Sequence, residues 1–516
     1  MNTAAENPYD AVPYQSVSFP VTRPANLYTV GRLFGVSAPD FRTARVLELG
    51  CASGGNLIPL AFQYPDGHYT GIDFSERQIE AANEMVAALE LKNIDFIARP
   101  FADMPSLDKF DYIICHGVYS WVGDEERKQL LDICRDNLVE NGLAVISYNT
   151  LPGWNMVRSL REMMLYHAQS FDDPVEKASQ AVELLRFIRD NNAEGSAYRA
   201  VIDSELEILS NQTVSYITHD HLEAENSQFY FHEFATALDE HGLQYVGDSN
   251  ITHMYVDNLP EDAAERLKTV TDILRQEQYM DFIRNRRFRS SIICPQAEPI
   301  NRNLSAEIIH DFYLSSLIKP DAEDLKGDGP DTRFRDAAEN VVFTAHNKEA
   351  AVLFTELAES LRPIKSGDLA DMAARNIDGA DPAVLKATIE QFGLQLALKG
   401  FIILHADPGS HITHVSEMPE ASKLARHQAP LYGWATNARH ERVNHDLFTR
   451  ALVGHVDGSK NLDQLSEIMV EQVDKGVIAV QADGKDMADD EQRSSVIRQF
   501  TENALAGLAQ NALLVG

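Results

Sequence analysis

The chain of 516 residues is long enough for roughly two to four domains with sizeable cores. Its formal charge of −33 disfavours a nucleic-acid partner, because such binding neutralises phosphates with Lys and Arg; an acidic surface suits a basic substrate such as lysine-rich protein, or is simply a solvated face. No apolar run approaches a membrane span, and residues 1–6 lack the basic and apolar regions of a signal peptide. The four cysteines (51, 115, 134 and 294) lack the paired spacing of a disulfide scaffold or zinc site, so a cytoplasmic chain without a metal is expected.

Residues 1–40 are rich in aromatic residues and prolines: Tyr9-Asp-Ala-Val-Pro-Tyr14, Phe19-Pro20, Arg23-Pro24 and Leu27-Tyr28. The prolines exclude a regular helix in the first part, whereas 26–34 predicts a short one. So apolar a segment must pack on something. It is either a lid over a bound ligand, with Tyr14 or Tyr28 near the reacting atom, or a clasp that covers a sheet.

The next stretch, Val46-Leu-Glu-Leu-Gly-Cys-Ala-Ser-Gly-Gly-Asn56, is followed by Gly71-Ile-Asp-Phe-Ser75. Residues 45–49 predict a buried strand; Gly50, Gly54 and Gly55 predict a turn; Asn56 opens a packed helix. Glycines there let the backbone approach a ligand and aim amides at it. Residues 69–72 predict a second strand ending at Asp73, where a carboxylate can accept hydrogen bonds from both ribose hydroxyls. Phe101-Ala-Asp103 falls where a third strand should end, and its acid suits an adenine amino group. Residues 110–116 and 142–147 supply the fourth and fifth strands.

Gly50-x-Ala52-x-x-Gly55 fits a dinucleotide fingerprint, but a lone match of that kind is weak. Glu48, Gly50, Ala52 and Gly54 instead give an acidic-x-Gly-x-small-x-Gly order that resembles motif I of class I methyltransferases. An acid beside the turn suits the α-amino group of S-adenosylmethionine and would repel a pyrophosphate. The expected cofactor residues are Glu48, Gly50, Cys51, Ala52, Gly54, Asn56, Asp73, Phe74, Phe101, Ala102, Asp103, His116 and Gly117, with Tyr28 from the N-terminal segment. Ala52 replaces a second glycine, and a small residue should still fit.

Strand–helix alternation implies a mostly parallel sheet with its chemistry at the carboxyl ends of the strands. Cys115-His-Gly-Val-Tyr-Ser-Trp121 follows strand four, where a methyl acceptor meets the cofactor. The bland alternatives make His116 a neighbour of the cofactor and Trp121 an anchor for a helix over 125–138. The absence of Asn-Pro-Pro-Tyr or Asp-Pro-Pro-Tyr counts against methylation of amides or exocyclic base amines. Ser147-Tyr-Asn-Thr-Leu-Pro-Gly-Trp154 reads as a loop walling the acceptor site. The expected catalytic set is Tyr14, His116, Tyr119, Trp121 and Trp154.

Downstream, 156–170, 174–191 and 226–243 predict helices that suit a cap or a dimer face. His219, Asp220 and His221 suggest a metal less than a polar helix start capped by Thr218. The basic run Arg284-Asn-Arg-Arg-Phe-Arg289 reads as internal salt bridges in preference to a dock for an acidic partner. Pro299, Pro320 and 327–330 mark a boundary. Helix 382–399 followed by strand 401–405 suggests a winged helix, and 453–473 begins a second. His440-Glu441 with His445 misses zinc-protease spacing by one residue.

Taken together, Tyr9-Asp-x-Val-Pro-Tyr14, Glu48-Leu-Gly-Cys-Ala-Ser-Gly-Gly-Asn56, His116-Gly-Val-Tyr-Ser-Trp-Val122 and Ser147-Tyr-Asn-Thr-Leu-Pro-Gly-Trp154 resemble one bacterial group. This is the class I methyltransferases that carry a methyltransferase regulatory domain, including rickettsial enzymes acting on lysines of outer-membrane protein. Tyr216-Ile-Thr-His-Asp-His-Leu222, Phe231-His-Glu-Phe234 and 277–289 are similar to the regulatory domain, and Ala421-Ser-Lys-Leu-Ala-Arg-His-Gln428 to a C-terminal signature. The resemblance implies an α/β fold with a Rossmann-like sheet, then a helical middle region and α+β winged-helix-like C-terminal domains. The expected divisions are 1–40 as lid or clasp, 41–155 as S-adenosylmethionine-binding domain, 156–300 as helical regulatory domain, and 301–430 and 431–516 as winged-helix-like units. The implied function is N-methylation of protein lysines, with a homodimer plausible. The alternatives are a small-molecule N- or O-methyltransferase and a cofactor-sensing interaction protein.

Overall fold

Strands rich in Val, Leu, Ile and Tyr with few charges are those buried on both faces of a parallel sheet. Arg45–Leu49 (β1), His68–Asp73 (β2), Ile94–Ala98 (β3), Phe110–Cys115 (β4) and Leu138–Thr150 (β5) pair in parallel in the order β3-β2-β1-β4-β5, and all but β3, half exposed at the sheet's edge, follow that pattern. The computed structural model describes residues 14–103, 107–326, 331–479, 481–482, 485–486 and 490–516. Residues 9–13 of the N-terminal motif, 327–330 and the side chain of Ala102 lie outside the described residues.

Pro24–Leu33 (α1), Leu57–Gln63 (α2) and Glu76–Leu89 (α3) cover one face of the sheet through Leu27, Val30, Leu57, Leu60 and Ala82. Helix α1 starts two residues before the expected position, because a proline fits the first turn of a helix. Asp124–Asn137 (α4) covers the other face through Leu130, Leu131 and Cys134. From β1 the strands are added first on one side (β2, β3) and then on the other (β4, β5), all parallel, which opens a cleft at the carboxyl ends of β1 and β4.

The expected loop 147–154 is largely strand: β5 runs buried to Thr150, and Trp154–Ala168 (α5) begins at Trp154 itself. With Pro174–Asp190 (α6) and Ala197–Leu209 (α7), α5 forms a helical layer with its own core of Leu160, Met164, Leu185 and Ile202.

The sheet does not close at residue 155. Gln228–Phe229 (β6) pairs with the end of β5; Leu243–Asp248 (β7) and Phe288–Pro295 (β8) then extend the sheet in the order β5-β8-β7, both pairings antiparallel. The second half of the expected regulatory domain is therefore part of the catalytic sheet. For the same reason the helix expected over 226–243 shrinks to Phe231–Glu240 (α8), its flanks being drawn into β6 and β7.

Ile273–Arg284 (α9) precedes β8, and the basic run that follows it points inward. Arg289, fully buried, meets Glu277 Oε2 at 2.8 Å and Asp281 Oδ2 at 2.8 Å, and stacks over Phe231 with its guanidinium carbon 4.1 Å from the ring centre. Arg286 pairs with Asp248 and Arg287 with Glu205. The run is an internal salt-bridge network, as its isolation in an acidic chain suggested.

The first C-terminal unit contains Tyr313–Ser316, Lys348–Glu359, Ile364–Lys365, Ser366–Arg375, Pro382–Leu398 and Ile402–His405, with its three strands paired around Tyr313–Ser316. A further sheet of Lys319–Pro320, Thr332–Arg335 and Val341–Ala345 has strands too short to show periodicity in the sequence. The second unit begins well before residue 431: helix Lys423–Tyr432 buries Ala425 and Ala429 with Leu452, Leu465 and Leu505, and Ala421 bridges to Leu514. Among the described residues no helix is long and apolar enough to cross a membrane.

Removing Arg289 would leave buried Glu277 without its ion-pair partner and Asp281 with only Arg286 Nη1 at 3.8 Å, a loss of about 3–5 kcal/mol. Arg289→Met should lower the urea midpoint of the catalytic sheet accordingly. Adding Glu277→Gln and Asp281→Asn should restore most of it; an unchanged midpoint in the single variant would contradict the network's role.

Candidate active site

The turn after β1 is built by backbone constraint. Gly50 (φ 74°) and Gly54 (φ 74°) are left-handed, and a Cβ on Gly50 would run into Val118. Gly50 and Cys51 donate their N–H groups to Ile72 O at 2.8 and 3.1 Å. Ala52 is also left-handed (φ 47°), which costs about 1–2 kcal/mol for an L-residue. Its N–H is held by Asp73 Oδ2 at 2.9 Å, while Asp73 Oδ1 accepts from Ser75 N at 3.0 Å. One carboxylate thus ties the turn after β1 to the turn after β2.

A strap of chain over residues 14–22 crosses these turns. Ser16 Oγ accepts from Gly55 N at 2.7 Å, and a Cβ on Gly55 would strike Ser16. The Phe19 ring lies 4.2 Å from that of His116, and Tyr14 O accepts from Gln78 Nε2 at 3.3 Å. The strap therefore spans from the end of β2 to the end of β4.

Beneath it, Glu48 is buried. Asn56 Nδ2 donates to its Oε1 at 2.8 Å, whereas its Oε2 has no hydrogen-bond partner among the described residues. Burial, with Asp73 adding to it, pushes the Glu48 carboxyl up to about 8 against the opposing hydrogen bond from Asn56. His116 Nδ1 is likewise buried without a hydrogen-bond partner, and burial lowers the imidazole to about 4, so it is neutral. Buried polar atoms left in this state need an explanation, and a bound ligand at the end of β1 supplies one. Gly117 (φ 70°) donates its N–H to Ser147 Oγ at 2.7 Å, with open space before it. Phe74 is half exposed at the end of β2; Phe101 and the exposed Asp103 lie past β3. The charges, amides and aromatic rings at this edge match a molecule with an amine, a diol and a purine.

The structure thus gathers Glu48, Gly50, Cys51, Ala52, Gly54, Asn56, Asp73, Phe74, Phe101, Asp103, His116 and Gly117 at one edge of the sheet. Tyr28 is not among them: it packs on Phe41, ahead of the amino end of β1, at the opposite edge from the glycine turn. Tyr119 is a core residue, its ring held by Tyr148, Phe229 and Phe234. Trp154 is buried with its indole N–H on Asn226 Oδ1 at 3.1 Å and Arg287 over its ring. Trp121 is half-buried in the turn before α4, donating its amide to Val118 O. Of the expected catalytic set, Tyr14 lies in the strap, His116 packs against its Phe19 and Trp121 sits in the turn before α4, whereas Tyr119 and Trp154 serve packing.

Thr218 does not cap a helix. The cap is Thr213, and 217–221 continue as helical backbone that buries His219 and His221. His221 Nε2 meets Glu205 Oε1 at 2.8 Å, and the His219 ring lies 5.8 Å from Tyr14. Burial pushes the Tyr14 hydroxyl up to about 12, with the Asp220 carboxylate adding to it. Burial also raises Asp220 itself to about 6, and Tyr216 upward. Only folding brings 213–221 against the strap, so no local pattern in the sequence marks Tyr216 or Asp220 as its neighbours.

Three family models match: a methyltransferase domain over residues 40–205, a predicted methyltransferase regulatory domain over 213–295, and the PKMT C-terminal winged helix domain over 417–513. An uncharacterised protein of Rickettsia prowazekii (strain Madrid E) is 38% identical over 527 residues, 99% of this chain and 94% of that protein. The structure of PKMT2 from Rickettsia typhi superposes with a TM-score of 0.89 at 31% identity, covering 98% of this chain and 100% of that one. The same protein in complex with AdoHcy gives 0.90 at 32%. The site fits S-adenosylmethionine, which is the cofactor. The chain belongs to the bacterial class I S-adenosylmethionine-dependent methyltransferases that carry a methyltransferase regulatory domain.

Proposed function

We propose that the chain methylates lysine side chains of a protein. The observation that carries this reading is the whole-chain likeness to PKMT2, which runs through the regulatory region and the C-terminal unit as well as the catalytic sheet. Parts beyond the sheet are where a macromolecular acceptor would be recognised. The exposed Met156, Tyr166, Val175 and Phe187 on α5 and α6 suit a homodimer face.

S-adenosylmethionine supplies a methyl group already activated on a sulfonium, so the chain's contribution is alignment and a dry site. Glu48, through its unpartnered Oε2, would hold the α-amino group, Asp73 the ribose hydroxyls, and Phe74, Phe101 and Asp103 the purine. The strap covers this edge with Phe19. Neutral His116 beside it adds no repelling charge near a sulfonium. On the acceptor side, the tyrosine faces of Tyr14 and Tyr216 hold an incoming ammonium by cation–π attraction. Asp220 is ionised at neutral pH; burial lowers the amine pKa, and the proton passes from the ammonium nitrogen to the Asp220 carboxylate.

Since Glu48 is protonated near neutrality before the ammonium arrives, cofactor binding should release a proton at pH 7 and tighten as pH rises from 6 to 7.5. Calorimetry in two buffers reads that proton; Glu48→Gln should abolish the release, and a wild type without it would contradict the assignment. Asp220→Asn should lower kcat by about 10²-fold with cofactor Kd unchanged, and wild-type turnover should fall as pH drops below about 6. A loss of cofactor affinity instead would place Asp220 on the wrong side of the reaction. Radiolabelled S-adenosylmethionine added to separate protein and small-molecule fractions of a bacterial extract tests the substrate class. Label is expected in methyl-lysine of protein and absent with Asp73→Ala; label only in the small-molecule fraction would favour a metabolite methyltransferase.

A further inference from the structure

His440, which no zinc spacing explained, lies at the tip of a hairpin formed by Trp434–Thr436 and Arg442–Asn444 in the C-terminal unit. It is fully buried and left-handed (φ 64°), an uncommon conformation for a residue with a side chain. The tip is braced from within: Asn437 Oδ1 accepts from Arg439 N and Glu441 N, both at 2.9 Å, and Asn437 Nδ2 donates to Asn511 O at 2.9 Å. It docks on the catalytic sheet's helices. Gln63 Nε2 donates to Ala438 O at 2.9 Å, Arg23 Nη1 to Arg439 O at 3.0 Å, and His440 Nε2 lies 2.8 Å from Asn56 Oδ1.

The proton positions follow from the partners. Asn56 Oδ1 also accepts from Phe19 N at 3.0 Å, and Asn56 Nδ2 donates to Glu48 Oε1 at 2.8 Å, so the amide has one orientation. His440 Nε2 must then be the donor. Thr22 Oγ1 completes the group, 3.1 Å from Asn56 Nδ2. A left-handed, buried residue held so by its surroundings is a candidate functional position.

We propose that His440 is a positioning residue of the cofactor site: the C-terminal hairpin fixes the Asn56 amide, which aims Glu48 at the cofactor, so that docking of the hairpin and cofactor binding are coupled. Linkage requires the effect to be mutual, cofactor tightening the dock as the dock tightens cofactor.

The test is AdoHcy affinity by calorimetry together with hydrogen exchange of residues 434–444, neither of which depends on turnover. His440→Ala should weaken AdoHcy about tenfold, within the range of such couplings. His440→Gln, which can still donate to Asn56, should recover most of that loss. Saturating AdoHcy should slow hairpin exchange in the wild type, a comparison that needs no variant to fold. Wild-type affinity in His440→Ala, equal loss in His440→Gln, or hairpin exchange indifferent to AdoHcy would each overturn the proposal.

Discussion

Three separate stretches of chain converge on the side-chain amide of Asn56. The strap brings Phe19 N and Thr22 Oγ1, β1 brings Glu48, and the C-terminal hairpin brings His440. A buried amide has a small, fixed number of donors and acceptors, and here both ends are used. The position of Glu48 consequently depends on residues 19 to 440 being folded at once. The cleft at the end of β1 is shaped by the whole molecule, not by the first 150 residues alone.

A second constraint works in parallel. Asp73 holds the amides of Ala52 and Ser75, which stabilises a left-handed alanine where a glycine would be free of strain. Together, Asn56 and Asp73 keep two acids preorganised beside a glycine turn, one with a raised carboxyl and an open lone pair. Electrostatic preorganisation of this kind lets a site receive an amine and a diol without rearranging at the moment of binding.

Much of this was legible in the sequence wherever the signal is local. The β1 turn, the acid at the end of β2 and strands β4 and β5 follow from hydrophobic runs and glycine positions, so Glu48, Asp73 and His116 were found together. The basic run at 284–289 was read as internal salt bridges, and Glu277, Asp281, Asp248 and Glu205 supply the partners. What was not legible is long-range. Strands β7 and β8 join the sheet about a hundred residues or more after β5, and no local pattern marks which sheet a strand will enter. Aromatic side chains misled for the same reason: Tyr28, Tyr119 and Trp154 look alike in sequence whether they face a ligand or a core. Thr218 was taken as a cap although Thr213 reaches the free amide first, and His440 carried no signal because its partner lies 384 positions away.

The central claim is that the orphaned acid beneath the strap is the anchor of the cofactor. A crystal structure of the full chain with AdoHcy addresses it most directly. The expected result is the α-amino group within hydrogen-bond distance of Glu48 Oε2 and the ribose hydroxyls on Asp73, with the His440 hairpin docked as described. AdoHcy bound with Glu48 Oε2 still lacking a partner, or held away from the end of β1, would contradict it.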